Sequence, residues 1–159
     1  MTDDSWDDEL DIYMRETYED LTAFYDELEG ESARAAAILA VAQIDHELTE
    51  IIKRYFPADV DKKVWIQLFG PGAPNGNLKN KCLMAEALGA FGPQTRKTIE
   101  KMGEIRNKFA HETDVRMFTH PKVLSKCKAL GDNPVLLDTA SESDVRRHFI
   151  TTAKAFIID

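Results

Sequence analysis

The sequence predicts an all-α protein, built as an antiparallel helical bundle of about five longer helices with short extra helices. Three observations predict it. Apolar residues recur at helical spacing in several long segments, and residues that cap or end helices stand between those segments. Most of the connections are short, which favours antiparallel neighbours.

The first helix is predicted over residues 5–29 and is acidic. Its stripe residues follow one another in steps of four or three, and Gly30 ends it. This stripe consists of Trp6, Leu10, Tyr13, Thr17, Leu21, Phe24 and Leu28. Residues 1–31 carry 13 acidic residues against one arginine, a net charge of −12, whereas the remaining residues carry +4. We interpret the acidic segment as a solvated helix face rather than a nucleic-acid mimic or an autoinhibitory arm.

The second helix is predicted to begin after Ser32, a good N-cap residue, and to end near Phe56 because Pro57 cannot continue it. Two charged residues, Arg34 and Asp45, fall inside its apolar arc. The arc consists of Ala37, Ile38, Val41, Ile44, Leu48, Ile51, Ile52 and Tyr55.

Residues that favour turns and helix starts predict the positions of the remaining helices and loops. A short helix at 61–69 precedes a glycine- and proline-rich loop at 70–76, and longer helices are predicted at 78–91 and 93–110. His120 and Pro121 open a short helix, 131–134 is a turn and 135–137 a short apolar segment. A final helix at 141–158, capped by Ser141 or Ser143, presents an inner face of Val145, Phe149, Thr152, Ala153 and Phe156.

Length and composition predict a single helical domain over residues 1–159, large enough to fold without a metal or disulfides. Cys82 and Cys127 stand far apart with no histidine at ligand spacing, so we expect no metal and no cofactor. The amino terminus is acidic and no run of about 18 apolar residues occurs. We therefore expect a soluble cytoplasmic protein without a membrane partner.

The most informative segment is Arg106-Asn107-Lys108-Phe109-Ala110-His111. On an ideal helix Arg106 points into an apolar arc formed by Ile99, Met102, Ile105, Phe109 and Ala110. A buried guanidinium needs a negative partner, and Asp45 is the candidate, which predicts a polar cluster of Arg34, Asp45 and Arg106.

His111 lies about 140° around the same helix, so an undistorted helix does not aim both side chains at one atom. Either the helix ends near Ala110, or a second copy of the chain completes a site. The alternative is structural: Arg106 makes an ion pair, and His111 favours a helix C-terminus.

Four segments resemble, in this order, the mannitol operon repressor family, a branch of the HEPN (higher eukaryote and prokaryote nucleotide-binding) helical domains. They are residues 31–35 (ESARA), 44–48 (IDHEL), 81–89 (KCLMAEALG) and 105–111 (IRNKFAH), and the resemblance covers about residues 30–125. The last segment is the most specific. The resemblance implies an antiparallel bundle, often dimeric, with Arg106 and His111 near a cleft at the dimer interface.

The resemblance implies two functions. The first is a mannitol operon repressor-like transcriptional regulator that associates with another protein, as yet unidentified, without sequence-specific DNA binding. The second is a metal-independent ribonuclease, a toxin or defence protein. In that case Arg106 would stabilise charge on a phosphate, Asn107 would orient a group, and His111 would move the proton of a 2′-hydroxyl of RNA. Lysines and arginines near the motif are compatible with RNA but are interpreted first as solubilising charges.

Overall fold

The computed structural model describes residues 4–131 and 139–158, and the side chains of 15–131 and 139–156. This part of the chain contains helices and no strand, so the predicted all-α bundle is confirmed. The α-helices are α1 (Asp4–Glu27), α2 (Ala33–Lys53), α3 (Lys62–Phe69), α4 (Leu78–Ala87), α5 (Pro93–His111), α6 (Pro121–Lys128) and α7 (Glu142–Ile158). A 3-10 turn, Leu28–Gly30, links α1 to α2.

Side-chain caps fix the starts of most of these helices. The Ser32 hydroxyl accepts a hydrogen bond from the Ala35 amide, and the Asn77 side chain accepts one from the Asn80 amide. At α7 the cap is Ser141, not Ser143: its hydroxyl accepts from the Asp144 amide, while the Asp144 carboxylate accepts from the Ser141 amide. This reciprocal pair satisfies two donors at the helix start.

The core is centred on α2, which packs against α4, α5 and α7, while α1 packs against α7. Three alanines at the start of α2, Ala33, Ala36 and Ala37, are buried and allow close helix approach. On α7 the predicted inner face is confirmed for Val145, Phe149 and Ala153, which are fully buried, while Thr152 and Phe156 are half-buried. The ring of Phe118 packs edge-to-face on Phe109 and at a tilt on Phe149, and so joins α5 to α7.

Among the described side chains, those of the predicted stripe that pack lie at the carboxyl end of the first helix. Leu28 is buried, and Leu21 and Phe24 are half-buried. Thr17, assigned to the stripe from its spacing, is exposed, and so is every other residue from 15 to 20. That part of the prediction is wrong, because residues 15–20 present no buried face on any side of the helix. Trp6, Leu10 and Tyr13 lie outside the described side chains.

Two predicted helix ends lie too far along the chain. The second helix ends at Lys53 rather than near Phe56, which leaves Tyr55 about half exposed instead of in the core. Helix α4 ends at Ala87 rather than Phe91, because Gly89 adopts a left-handed conformation with φ +77°. The Gly89 amide then donates to Glu86 and the Ala90 amide to Ala85, which closes the helix.

The predicted short helix after His120 is confirmed as α6, and Gly131 opens the predicted turn with φ +71°. The rest of that turn and the apolar segment at 135–137 lie outside the described residues. No helix in the described part of the chain combines the length and the apolar character needed to cross a membrane.

Candidate functional site at the carboxyl end of α5

Arg106 lies on the inner side of α5 but forms no ion pair with a described residue. Ile99, Met102, Ile105 and Phe109 of the predicted arc are fully buried, whereas Ala110 is exposed, so the arc is narrower than predicted. Arg106 is half-buried, and its Nε is buried without a hydrogen bond to any described residue. A buried N–H of this kind costs free energy unless another group reaches it.

Asp45 does not pair with Arg106, and the predicted ion pair is wrong. Its Oδ2 lies 2.6 Å from Nζ of Lys81 on α4, and Lys81 is only 5% exposed. Helix α2 contacts both α4 and α5, so the inward position of Asp45 is compatible with a partner on either helix. The lysine on α4 is the one that reaches it.

Arg34 binds backbone carbonyl groups rather than Asp45. Its guanidinium donates to the backbone carbonyl of Phe109, and to the carbonyls of Glu112 and Val115 at 3.2 Å each. These carbonyls lie at and just beyond the end of α5, where the last turn of a helix leaves its acceptors free. Arg34, Asp45 and Arg106 therefore share no hydrogen bond, and the predicted polar cluster separates into an α5 cap, an ion pair and an unpaired arginine.

His111 is the last residue of α5, and both it and Asn107 are exposed. Because the helix is unbroken through His111, Arg106 and His111 point about 140° apart. The helix does end near Ala110, as the first alternative required, but it includes His111 and so does not turn the imidazole toward Arg106. Within one chain the geometry provides a half-buried cation and a separate exposed imidazole rather than a joint site.

A charged cluster follows directly after His111. The Glu112 carboxylate accepts hydrogen bonds from Lys108 at 2.6 Å and Lys122 at 2.5 Å. These two ammonium groups lower the pKa of Glu112 to about 2. Lys122 also reaches Asp114 at 3.4 Å, and the Asp114 carboxylate lies 3.6 Å from Nε2 of His120. The cluster ties the end of α5 to the start of α6.

The loop between α5 and α6 is held from the other side by Glu142, which the sequence analysis did not single out. Its two carboxylate oxygens accept hydrogen bonds from the amides of Phe118 and Thr119, each at 2.9 Å. No motif marks this glutamate, since the donors that bind it are backbone amides more than twenty residues away. Arg34 and Glu142 together fix the loop that surrounds the end of α5.

Carboxylates neutralise several of the lysines near the motif. Lys108 and Lys122 share Glu112, and Lys126 bonds to Glu104 at 2.5 Å. Lys101 donates to the carbonyl of Ala129. Lys97 and Arg116 are exposed, and neither has an ion pair with a described residue. The basic stretch seen in the sequence is therefore largely a set of local ion pairs rather than a continuous positive surface.

The described residues offer little for metal or thiol chemistry. Within them, no three histidine, cysteine or acidic side chains come together as metal ligands. Cys82 and Cys127 are buried and unpaired, and burial raises the pKa of each thiol to about 12. A thiol with such a pKa carries almost no thiolate near neutral pH and is a poor nucleophile.

The fold has a counterpart among solved structures. The chain is similar to one in the X-ray structure of the MtlR-HPr complex from Escherichia coli, with a TM-score of 0.61 and 19% sequence identity. The similarity covers 86% of this chain and 97% of that one. No protein-family model and no curated protein matches the sequence. At this identity the similarity shows a shared fold.

Proposed function

We propose that the protein is a regulator of the mannitol operon repressor type that acts by binding another protein. The observation that carries the proposal is the shared fold, which extends over nearly the whole of a chain solved in the MtlR-HPr complex. The resemblance of residues 31–35, 44–48, 81–89 and 105–111 to the mannitol operon repressor family, and through it to HEPN domains, points the same way. An HPr-type protein is the first partner to test.

The charges of the described surface support a protein partner over DNA. The exposed turn of α1 carries Glu16, Glu19 and Asp20, which would repel phosphates. Three of the lysines beside the motif, Lys108, Lys122 and Lys126, are paired with carboxylates. In contrast, Arg106 has no ion pair with a described residue, and a carboxylate or phosphate of a partner would satisfy its guanidinium through two parallel hydrogen bonds. We therefore place Arg106 in the binding surface of the regulator.

Calorimetric titration of the full chain with HPr from the same organism tests this function. We expect saturable binding by the wild type. Arg106→Ala should weaken it at least tenfold, the effect of losing a charged hydrogen bond. Arg54→Ala, which removes an exposed arginine after α2, is the matched control and should bind as the wild type does.

Three results would contradict parts of the proposal. Failure of HPr to bind would remove HPr as the partner. Unchanged affinity in Arg106→Ala would move the interface away from this residue. Tight, sequence-selective operator binding in gel-shift assays at low salt would show direct DNA recognition instead of association with a protein.

A second candidate is the metal-independent ribonuclease, and the unpaired Nε of Arg106 is the observation that favours it. In this function Arg106 stabilises the phosphate charge, Asn107 orients a group and His111 moves the 2′-hydroxyl proton. Because Arg106 and His111 diverge on an intact helix, the active site requires a homodimer in which each chain supplies one of them.

RNA cleavage in EDTA separates the two functions. A ribonuclease would cut unstructured RNA, lose that activity in His111→Ala, and recover part of it when Arg106→Ala and His111→Ala chains are mixed. His120→Ala is the matched control, since this histidine lies outside the motif. Absence of cleavage dependent on His111 would remove the ribonuclease function.

A further inference from the structure

A pocket of about 170 Å³ lies between α2, the start of α5 and the end of α7, away from the Arg106 motif. Its walls are largely apolar. They include Ile44, Leu48 and Ile51 of α2, together with Phe91, Ile99 and Phe156. An apolar cavity of about 150 Å³ is known to bind benzene, so this pocket has room for a group of about six carbons.

One ionisable side chain, Glu47, lines the pocket. It is half-buried, and its Oε1 accepts a hydrogen bond from the Gln43 side chain at 2.7 Å, which holds the carboxylate in place. No cation pairs with Glu47 in the described part of the chain. Glu50, almost one turn further along the same helix, differs because Lys53 lies 2.7 Å from its carboxylate.

The charge of Glu47 also acts inside the protein. Tyr25 is fully buried, and its hydroxyl has no hydrogen-bond partner among the described residues. Burial raises the pKa of Tyr25 above its usual value, and the negative charge of Glu47 raises it further. Glu47, which no described cation neutralises, thus lies at the edge of the protein interior, where an opposite charge interacts more strongly than in water.

We propose that this pocket binds a small amphiphilic amine, with an apolar chain or ring of about six carbons between the helices and an ammonium group on the Glu47 carboxylate. The apolar body is favoured by the removal of its surface from water. The ammonium supplies the cation that Glu47 lacks. A neutral ligand of the same shape forgoes that pairing, and an anionic ligand is repelled. This site is separate from Arg106 and does not depend on the proposed function.

Binding of n-hexylammonium to the full chain, followed by amide NMR shifts and calorimetry, tests the proposal. We expect saturable shifts at Ile44, Leu48 and Ile99, and affinity at least tenfold higher than for hexan-1-ol, with hexanoate weakest. Glu47→Gln should abolish the preference for the amine over the alcohol. Glu50→Gln, the matched control, should keep it because that carboxylate already has its own lysine.

A second variant keeps the test valid if Glu47→Gln does not fold. Ala155 is exposed and lines the pocket, so Ala155→Phe fills the space from outside without disturbing the core. We expect it to remove hexylammonium binding while leaving the circular dichroism spectrum unchanged. Binding that survives Ala155→Phe, an equal affinity for alcohol and amine, or no saturable binding would each overturn the proposal.

Discussion

Arg34 on α2 and Arg106 on α5 are both half-buried arginines on the inner faces of long helices, yet they are satisfied very differently. Arg34 donates to three backbone carbonyls at and just beyond the end of α5, whereas the buried Nε of Arg106 meets no acceptor in the described residues. An arginine that satisfies backbone groups stabilises the fold. An arginine left unsatisfied at similar burial costs free energy, and that cost makes it the stronger candidate for binding a partner.

The largest change in stability is expected from replacement of Arg34. Arg34→Ala leaves the carbonyls after α5 without donors, and we expect it to lower the free energy of unfolding by about 3 kcal/mol. Urea denaturation followed by circular dichroism measures this loss. Arg34→Lys keeps the charge but not the fork of donors, so its loss should be intermediate. Full stability of Arg34→Ala would show that the three hydrogen bonds are dispensable.

Asp45 should have a smaller effect. Asp45→Asn removes the anion that pairs with the buried Lys81, and we expect a loss of about 1–2 kcal/mol in the free energy of unfolding. A double-mutant cycle between Asp45 and Lys81 should give clear coupling, and a cycle between Asp45 and Arg106 should give none. Coupling to Arg106 instead would restore the ion pair that the sequence predicted.

Replacement of Arg106 should leave the fold intact. Because its Nε is buried without an acceptor, Arg106→Met should leave stability unchanged or raise it by up to about 1 kcal/mol. The same urea denaturation measures this, with Arg34→Ala as the contrasting variant. A destabilisation as large as that of Arg34→Ala would mean that Arg106 is a structural residue, and the difference between the two arginines would disappear.

The smallest expected effect is the contribution of Glu112 to the pH dependence of stability. The pKa of Glu112 is lowered from 4.5 to about 2, so its contribution to stability is present above pH 4.5 and is lost as the pH falls towards 2. Wild-type stability should therefore fall over this window more steeply than that of Glu112→Gln. Acid titration followed by fluorescence measures both slopes. Parallel slopes would mean that Lys108 and Lys122 do not stabilise the charged form.

The sequence predicted which side of each helix faces the core more accurately than it predicted which residues pair with each other. The burial of Ile99, Met102, Ile105 and Phe109 followed from helical periodicity, because the spacing alone decides which side of a helix faces the core. The same argument placed Asp45 and Arg106 inward but could not decide which neighbouring helix each would meet. Helix ends were predicted less accurately where the conformation of a single residue decided them. The left-handed conformation of Gly89 ends α4 four residues before the predicted end.

At the candidate site, too, the sequence predicted the positions of side chains on a helix but not the groups that they contact. The periodicity of α5 placed Arg106 on its inner side, and the angle to His111 follows from helix geometry alone. The carbonyls bound by Arg34 and the amides bound by Glu142 belong to the backbone and carry no residue signature. The pocket beside Glu47 escaped prediction too, since its walls come from three helices that meet only in the folded chain.

The two hydrogen bonds from backbone amides to Glu142 have a consequence for exchange with heavy water. Phe118 and Thr119 lie outside any helix, where amide protons normally exchange quickly, but both are bound to a carboxylate from the start of α7. Their deuterium uptake should be as slow as that of helical amides and should accelerate together when α7 unwinds locally. Two protons in an irregular loop thus report on the docking of the last helix.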